Sequence, residues 1–325
     1  MVHTTVVGNY PRIGDSHDEQ KLRRAIGKLD RGEITESDLR DVEREVVRDA
    51  IREQVEAGIE VVTDGQVTWY DSQSHIARRL AGIEIDGLVR YFNTNTYYRQ
   101  PVVGSEVSRR GPILVDEWTY AASVSRRPVK AILTGPVTLA SLAKDQHYGD
   151  RKSLARALSR ALAEEVAALV KAGATHIQVD EPILARDGSD LGLVREALEP
   201  IAAAKGPAEL TLFVYFGDVA KIYKDVLKLP ADVIGLDLVE GAKTWAKVAK
   251  EGADKPLVLG AVDARNTKPE DPKGLASKVR GLRKVLDLDA CYLSPSNGLE
   301  FLPRDKAREK LAILAKAAAL LGDAR

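Results

Sequence analysis

Two adjacent acidic residues, Asp180 and Glu181, close an apolar, β-branched run at 176–182 and are the clearest candidates for acid–base chemistry. Side chains alternate across a strand, so neighbours in such a pair face opposite ways. One carboxyl can then meet a ligand, as partner to an ammonium or as a proton carrier, while the other holds the frame. A buried ion pair supporting the rim is the competing reading of the same two residues. Asp237 and Tyr215 lie at the ends of two further runs and add a carboxyl and a phenol to the catalytic candidates. Asparagine is rare, and all five (Asn9, Asn93, Asn95, Asn266 and Asn297) fall at run ends or in one long connection. Their amides suit hydrogen bonding to a ligand, although asparagine also favours turns with unusual backbone angles. His3, His17, His75, His147 and His176 are scattered without metal-ligand spacing, and the single Cys291 excludes a cysteine cluster and an intramolecular disulfide. Neither a phosphate-cradling P-loop nor a serine nucleophile elbow is visible.

The elements that must carry these groups follow from the hydrophobic pattern. Eight β-branched-rich runs, at 4–8, 59–65, 129–135, 176–182, 210–216, 233–239, 256–263 and 290–296, read as strands buried on both faces. Helical spacing recurs between them, most clearly at 35–57, 151–173, 190–204, 218–228, 270–287 and 303–321. Such alternation predicts an α/β fold, a single (β/α)8 TIM barrel over residues 1–325, with a doubly wound open sheet as the alternative. In a barrel of this kind the C-terminal strand ends form the active mouth, and the polar groups above all sit there. One connection breaks the rhythm: the insertion after the second strand, at about 66–128, holds eight of the 17 aromatic residues. It reads either as a satellite core or as the wall of a site for a flat, ring-bearing ligand.

The 48 basic and 48 acidic side chains cancel, which argues against a nucleic-acid or membrane-surface partner, since both need a basic excess. No apolar run reaches the roughly 18 residues of a membrane span, and the opening MVHTTVVGNYPRIG lacks the features of a secretion signal. The expectation is a soluble cytoplasmic protein. A charged fraction of 30%, with one methionine, one cysteine and few amide side chains, hints at a thermophilic source.

GNYPRIG at 8–14, TDGQVTWYD at 63–71, YFNTN at 91–95, LTGPVT at 133–138, IQVDEP at 177–182 and GLEFLP at 298–303 together resemble the cobalamin-independent methionine synthase family. The motifs span almost the whole chain in order. The resemblance implies methyl transfer from 5-methyltetrahydrofolate to homocysteine, without cobalamin, on one or two similar barrels. It also implies zinc in the catalytic barrel, because a thiol must become a thiolate to attack the weakly electrophilic N5-methyl group. The family's zinc ligands match Phe213, Tyr215, Asp237 and Asn297 here, a set without a thiolate, and Cys291 begins the eighth strand at the opposite end. Zinc is therefore not expected in this chain.

With the segments around Trp69-Tyr70-Asp71 and Phe92-Asn93-Thr94-Asn95, that pattern is most similar to the family's N-terminal, zinc-less half, although SEVSRRGPILVDEWTYA at 105–121 is closer to the catalytic half. Carried over residue by residue, the resemblance implies that Lys21, Arg23 and Arg90 hold the polyglutamate tail of methyl-folate, a chain of carboxylates that guanidinium groups grip well. A solvated helix face is the alternative for Lys21 and Arg23. Asn9, Gln66, Tyr70, Asp71, Asn93, Asn95 and Asn297 complete the expected substrate-binding set. The expected function is a folate-binding barrel of methionine biosynthesis, partnered with a second, zinc-bearing barrel. The alternatives are a stand-alone zinc-independent methyltransferase or carbon–sulfur lyase using Asp180, Asp237 or Tyr215, and a non-enzymatic folate or amino-acid binder.

Overall fold

The computed structural model describes residues 2–92, 94, 96–186 and 188–322, so the expected site residues Asn93 and Asn95 lie outside the described residues. The chain packs as two compact units, one of residues 1–68, 119–129 and 236–325, the other of 69–118 and 130–235.

In the first unit, His3–Thr4 pairs in parallel with Tyr292–Pro295, which pairs in parallel with Leu257–Val262. The second expected strand survives only as isolated bridges, Val61 to Thr5 and Val62 to Val129. Around these strands lie the helices Lys21–Asp30, Glu36–Glu56, Ala242–Glu251, Pro272–Arg280 and Arg304–Gly322. Thr35 and Asp38 start the second of these helices with a reciprocal capping box that satisfies two otherwise orphaned N–H groups. The helix expected at 270–287 is shorter, giving way at Gly281–Lys284 to a 3-10 turn.

The second unit holds the parallel strands Ala131–Thr134, His176–Asp180 and Glu209–Val214, in that order. Every described side chain of these strands is buried except His176 and Glu209 at their starts, as the unbroken apolar runs require. Helices Arg151–Ala172 and Leu191–Ala204 match the expected periodicity. The helix expected at 218–228 shrinks to Tyr223–Val226, because the Asp218 carboxylate accepts the Ala220 N–H and forms a turn where the helix would begin. The aromatic insertion carries structure of its own. Leu80–Arg90 and Tyr97–Arg109 form an antiparallel hairpin, extended in parallel by Lys144–Asp145. Glu165 anchors the segment that follows, accepting the N–H groups of Ile113, Leu114 and Val115 and a 2.7 Å contact from Arg109. No helix among the described residues is long and apolar enough to cross a membrane.

Candidate active site

Strand register decides which side chains meet in the second unit. Thr134 lies opposite Asp180, Gln178 opposite Thr211, and Asp180 opposite Phe213. Alternation therefore puts Ile132, Thr134, Gln178, Asp180, Thr211 and Phe213 on one face of the layer. Asp180 is buried there. Gln178 Nε2 donates to its Oδ1 at 2.7 Å, and the Tyr215 hydroxyl donates to its Oδ2 at 3.3 Å. Burial pushes the carboxyl up to about 7, while Gln178, the Lys130 ammonium and Tyr215 pull the other way without cancelling it. Lys130 is itself buried, and desolvation lowers its pKa to about 8 against the pull of Asp180 and Glu209. A carboxyl that exchanges its proton near neutral pH is suited to general acid–base work.

Its neighbour does something different. Glu181 is wholly buried and spends both oxygens on the start of the Pro136–Leu142 helix, accepting Val137 N–H at 2.9 Å, Thr138 N–H at 2.8 Å and the Thr138 hydroxyl at 2.6 Å. Burial raises its pKa to about 7 in spite of these bonds. Gly135 makes the approach possible: a Cβ there would stand 2.2 Å from the Glu181 carboxyl carbon. Of the two carboxyls, then, Glu181 is tied at both oxygens to the helix start, whereas Asp180 is held by the side chains of Gln178 and Tyr215.

An aromatic wall adjoins Tyr215. The Tyr215 and Phe216 rings meet edge-on at 4.7 Å, Phe216 meets Tyr91 at 6.1 Å, and Tyr91 meets Phe92 at 4.6 Å. Phe216 and Phe92 both hold left-handed backbone, with φ of 63° and 48°. Bulky residues rarely adopt that conformation, and where they do it often marks a functional site. The Arg186 guanidinium lies 5.8 Å over the Phe92 ring. Nearby in sequence, Asp71 accepts the N–H groups of Gln73, Ser74 and Arg99, Trp69 stacks on His75 at 4.5 Å, and His75 meets Glu117 at 3.0 Å. Tyr70 is exposed, with the Arg78 guanidinium 5.8 Å over its ring. Arg90 is exposed at the hairpin end, its Nε donating to Thr94 O at 2.7 Å.

The remaining expected residues belong to the first unit. Gln66 is buried with φ of 49°, its N–H held by Asp64 Oδ1 at 2.8 Å. Asp237 is buried and turns its Oδ1 to the N–H groups of Val239 and Glu240. Asn297 is buried; its Nδ2 donates to Ser296 Oγ, while its Oδ1 has no hydrogen-bond partner among the described residues. Asn9 accepts the Leu299 N–H through its carbonyl at 2.9 Å. Behind Asn9, Tyr10 donates to buried Glu53 at 2.8 Å, and Arg304 and Arg308 reach the same carboxylate at 3.0 and 3.4 Å. Lys21 is ion-paired with Asp49 at 2.8 Å and Glu45 at 3.5 Å, and Arg23 is exposed on the same helix.

The donors at the four positions onto which the resemblance carries the family's zinc ligands do not suit that metal. Phe213 offers no donor atom, the Tyr215 hydroxyl is given to Asp180, Asp237 Oδ1 holds two N–H groups, and Asn297 is a neutral amide. Among the described residues no three His, Cys, Asp or Glu side chains converge as a metal site. Three features of this layer escaped the sequence reading. Gln178 was legible, two residues before Asp180 and so on the same strand face. Lys130 was a charge inside an apolar run, while the left-handed Phe216 leaves no trace in sequence.

The chain matches the family model described as "Cobalamin-independent synthase, Catalytic domain" over residues 2–320. It is 33% identical to a methionine synthase of Saccharolobus solfataricus over 96% of this chain and 92% of that one. It is 32% identical to a methionine synthase of Sulfurisphaera tokodaii over 97% and 91%. Among solved structures, a B12-independent methionine synthase from Shewanella sp. W3-18-1, in complex with selenomethionine, superposes with a TM-score of 0.83 at 21% identity, covering 99% of this chain and 98% of that one. That likeness shows the fold, a (β/α)8 barrel with a long insertion after the second strand. The chain therefore belongs to the cobalamin-independent methionine synthase family, methyltransferases of methionine biosynthesis.

Proposed function

We propose that the chain works as one cytoplasmic barrel domain that binds 5-methyltetrahydrofolate and presents its methyl group for transfer to homocysteine, the thiol being activated on a separate zinc-bearing barrel. The observation that carries this is the donor set Phe213, Tyr215, Asp237 and Asn297, which offers no thiolate where the family holds its metal. The aromatic wall of Tyr91, Phe92 and Phe216 suits the flat pterin ring. Asp180, with a pKa of about 7, supplies or accepts a proton as the ring nitrogen loses its methyl group. Asn9, Gln66, Tyr70, Asp71 and Asn297, with Asn93 and Asn95, are the proposed polar contacts. Arg90 and Arg23 take the polyglutamate carboxylates; Lys21 joins them only by exchanging its pairing with Asp49.

The test is reconstitution. The purified chain should bind methyl-folate alone and yield methionine only when a zinc-bearing barrel of the family is added. Turnover by the chain alone, or one zinc per chain by elemental analysis, would refute the division of labour. Arg90→Ala should weaken triglutamyl-folate about fivefold and spare the monoglutamate. A second reading, a stand-alone zinc-independent methyltransferase or lyase, is favoured by the Asp180–Tyr215 pair, which needs no metal to move a proton. It predicts turnover without a partner and its loss in Asp180→Asn.

A further inference from the structure

In the first unit, two adjoining hollows of about 380 and 450 Å3 share Ala261, Asp263, Glu270 and Lys278 as lining. None of the residues assigned above to catalysis or folate binding lines them. Their apolar wall is Leu238, Ala242 and Trp245 on one side and Pro269 and Leu275 on the other. Their volumes lie near the lower end for ligand cavities, roughly 300–1,000 Å3, and suit a small molecule.

The charges are what give the groove a chemistry. Glu270 is already neutralised by buried Lys310, whose Nζ lies 2.8 and 2.9 Å from its two oxygens. Asp271 is spent on the N–H groups of Lys273 and Gly274 at the start of a helix. That leaves Asp263, whose Oδ1 takes only the Arg265 N–H, and Lys278, whose Nζ rests 3.9 Å from the centroid of the Trp245 ring. Neither forms an ion pair among the described residues, and partial burial lowers the Lys278 pKa, a cost that an incoming anion would offset.

A hollow with one carboxylate and one ammonium outside any ion pair among the described residues, and an indole wall, is complementary to a zwitterion with an apolar side chain. We propose that this groove binds a small apolar α-amino acid, its ammonium at Asp263, its carboxylate at Lys278 and its side chain against Trp245. Such a site would let the amino-acid product of the family's reaction bind without occupying the residues assigned to catalysis, and report its own concentration. The class follows from the groove; the choice of L-methionine as first probe rests on the proposed function, and L-leucine as second probe does not.

The full chain is titrated with both amino acids by calorimetry and by tryptophan fluorescence. Trp69 and Trp118 are buried, so Trp245 is the indole that a groove ligand quenches most directly. The expected result is saturable binding of at least one probe, weakened about tenfold by N-acetylation or methyl esterification, and about tenfold by Lys278→Met or Asp263→Asn. Asp180→Asn should leave this binding in place. The proposal is overturned if neither probe binds, if both blocked derivatives bind as well as the free amino acids, or if binding survives Lys278→Met and vanishes in Asp180→Asn. A failed reconstitution of methyl transfer would strike the functional reading and leave the groove untouched.

Discussion

Glu53 and Asp180 are both buried carboxyls, yet their surroundings have opposite character. Glu53 has two guanidinium groups and a phenol around it: Arg304, Arg308 and Tyr10. The cluster reaches out to Glu19, where Arg308 and Ser16 overcome partial burial and bring the carboxyl down to about 2. Asp180 has Gln178 and Tyr215, both neutral, and the cation that acts on it, Lys130, is itself desolvated. The first arrangement spends its charges on one another and fixes the Tyr10 loop to the last helix. The second leaves a charge short of compensation, which costs stability and yields a group that titrates where enzymes work. Buried acidity alone does not identify a site; the shortage of partners does.

Breaking the paired cluster should have the largest effect. Arg304→Ala strands Glu53 in a buried setting and should cost about 3–5 kcal/mol in denaturant unfolding. A loss below 1 kcal/mol would mean that Arg308 alone compensates the carboxylate. Next, Glu181→Gln removes an acceptor from a helix start and should cost about 1–3 kcal/mol. If Glu181 were instead a catalytic group, this variant would fold normally and lose only activity.

Asp180→Asn sharpens the contrast, because its sign is opposite. The folded pKa of about 7 stands above the ordinary value of 3.8, so the folded state keeps a proton that the unfolded state releases. That contribution is complete below the unfolded pKa and is lost as pH rises through 7. At pH 8 the variant should be more stable than the parent, with a shallower decline between pH 4 and 7. A variant less stable at pH 8 would show that the Asp180 anion is well compensated after all. The smallest effect is expected from Arg23→Ala on an exposed helix face, within about 0.5 kcal/mol in stability. A larger loss would place Arg23 in the paired network instead of leaving it free for a ligand.

Much of the frame was legible because buried parallel strands need unbroken apolar runs. Six of the expected strands overlap observed strands of four to six residues, beginning with Ala131–Thr134 and ending with Tyr292–Pro295. The second run, at 59–65, has the same composition yet forms only two bridges, since pairing depends on neighbours and not on composition. The hairpin of Leu80–Arg90 and Tyr97–Arg109 was missed inside the aromatic insertion. Its exposed Glu84, Asp86 and Arg99 interrupt the hydrophobic signal, as one-sided strands do.

By itself the sequence determined the alternation of strands and helices, the family motifs, and the lack of thiolates at the strand ends, because these depend on residue type and local period. It also placed Asp180 and Glu181 together without saying which would do chemistry. Only the tertiary structure gave the two different surroundings, by bringing Val137 and Thr138 from another segment onto Glu181 and Tyr215 onto Asp180. The left-handed turns at Phe92 and Phe216, and the burial of Lys130, were settled at the same level. Proton affinity and backbone strain are set by desolvation and by contacts between residues far apart in the chain, and neither is written in a local run of residues.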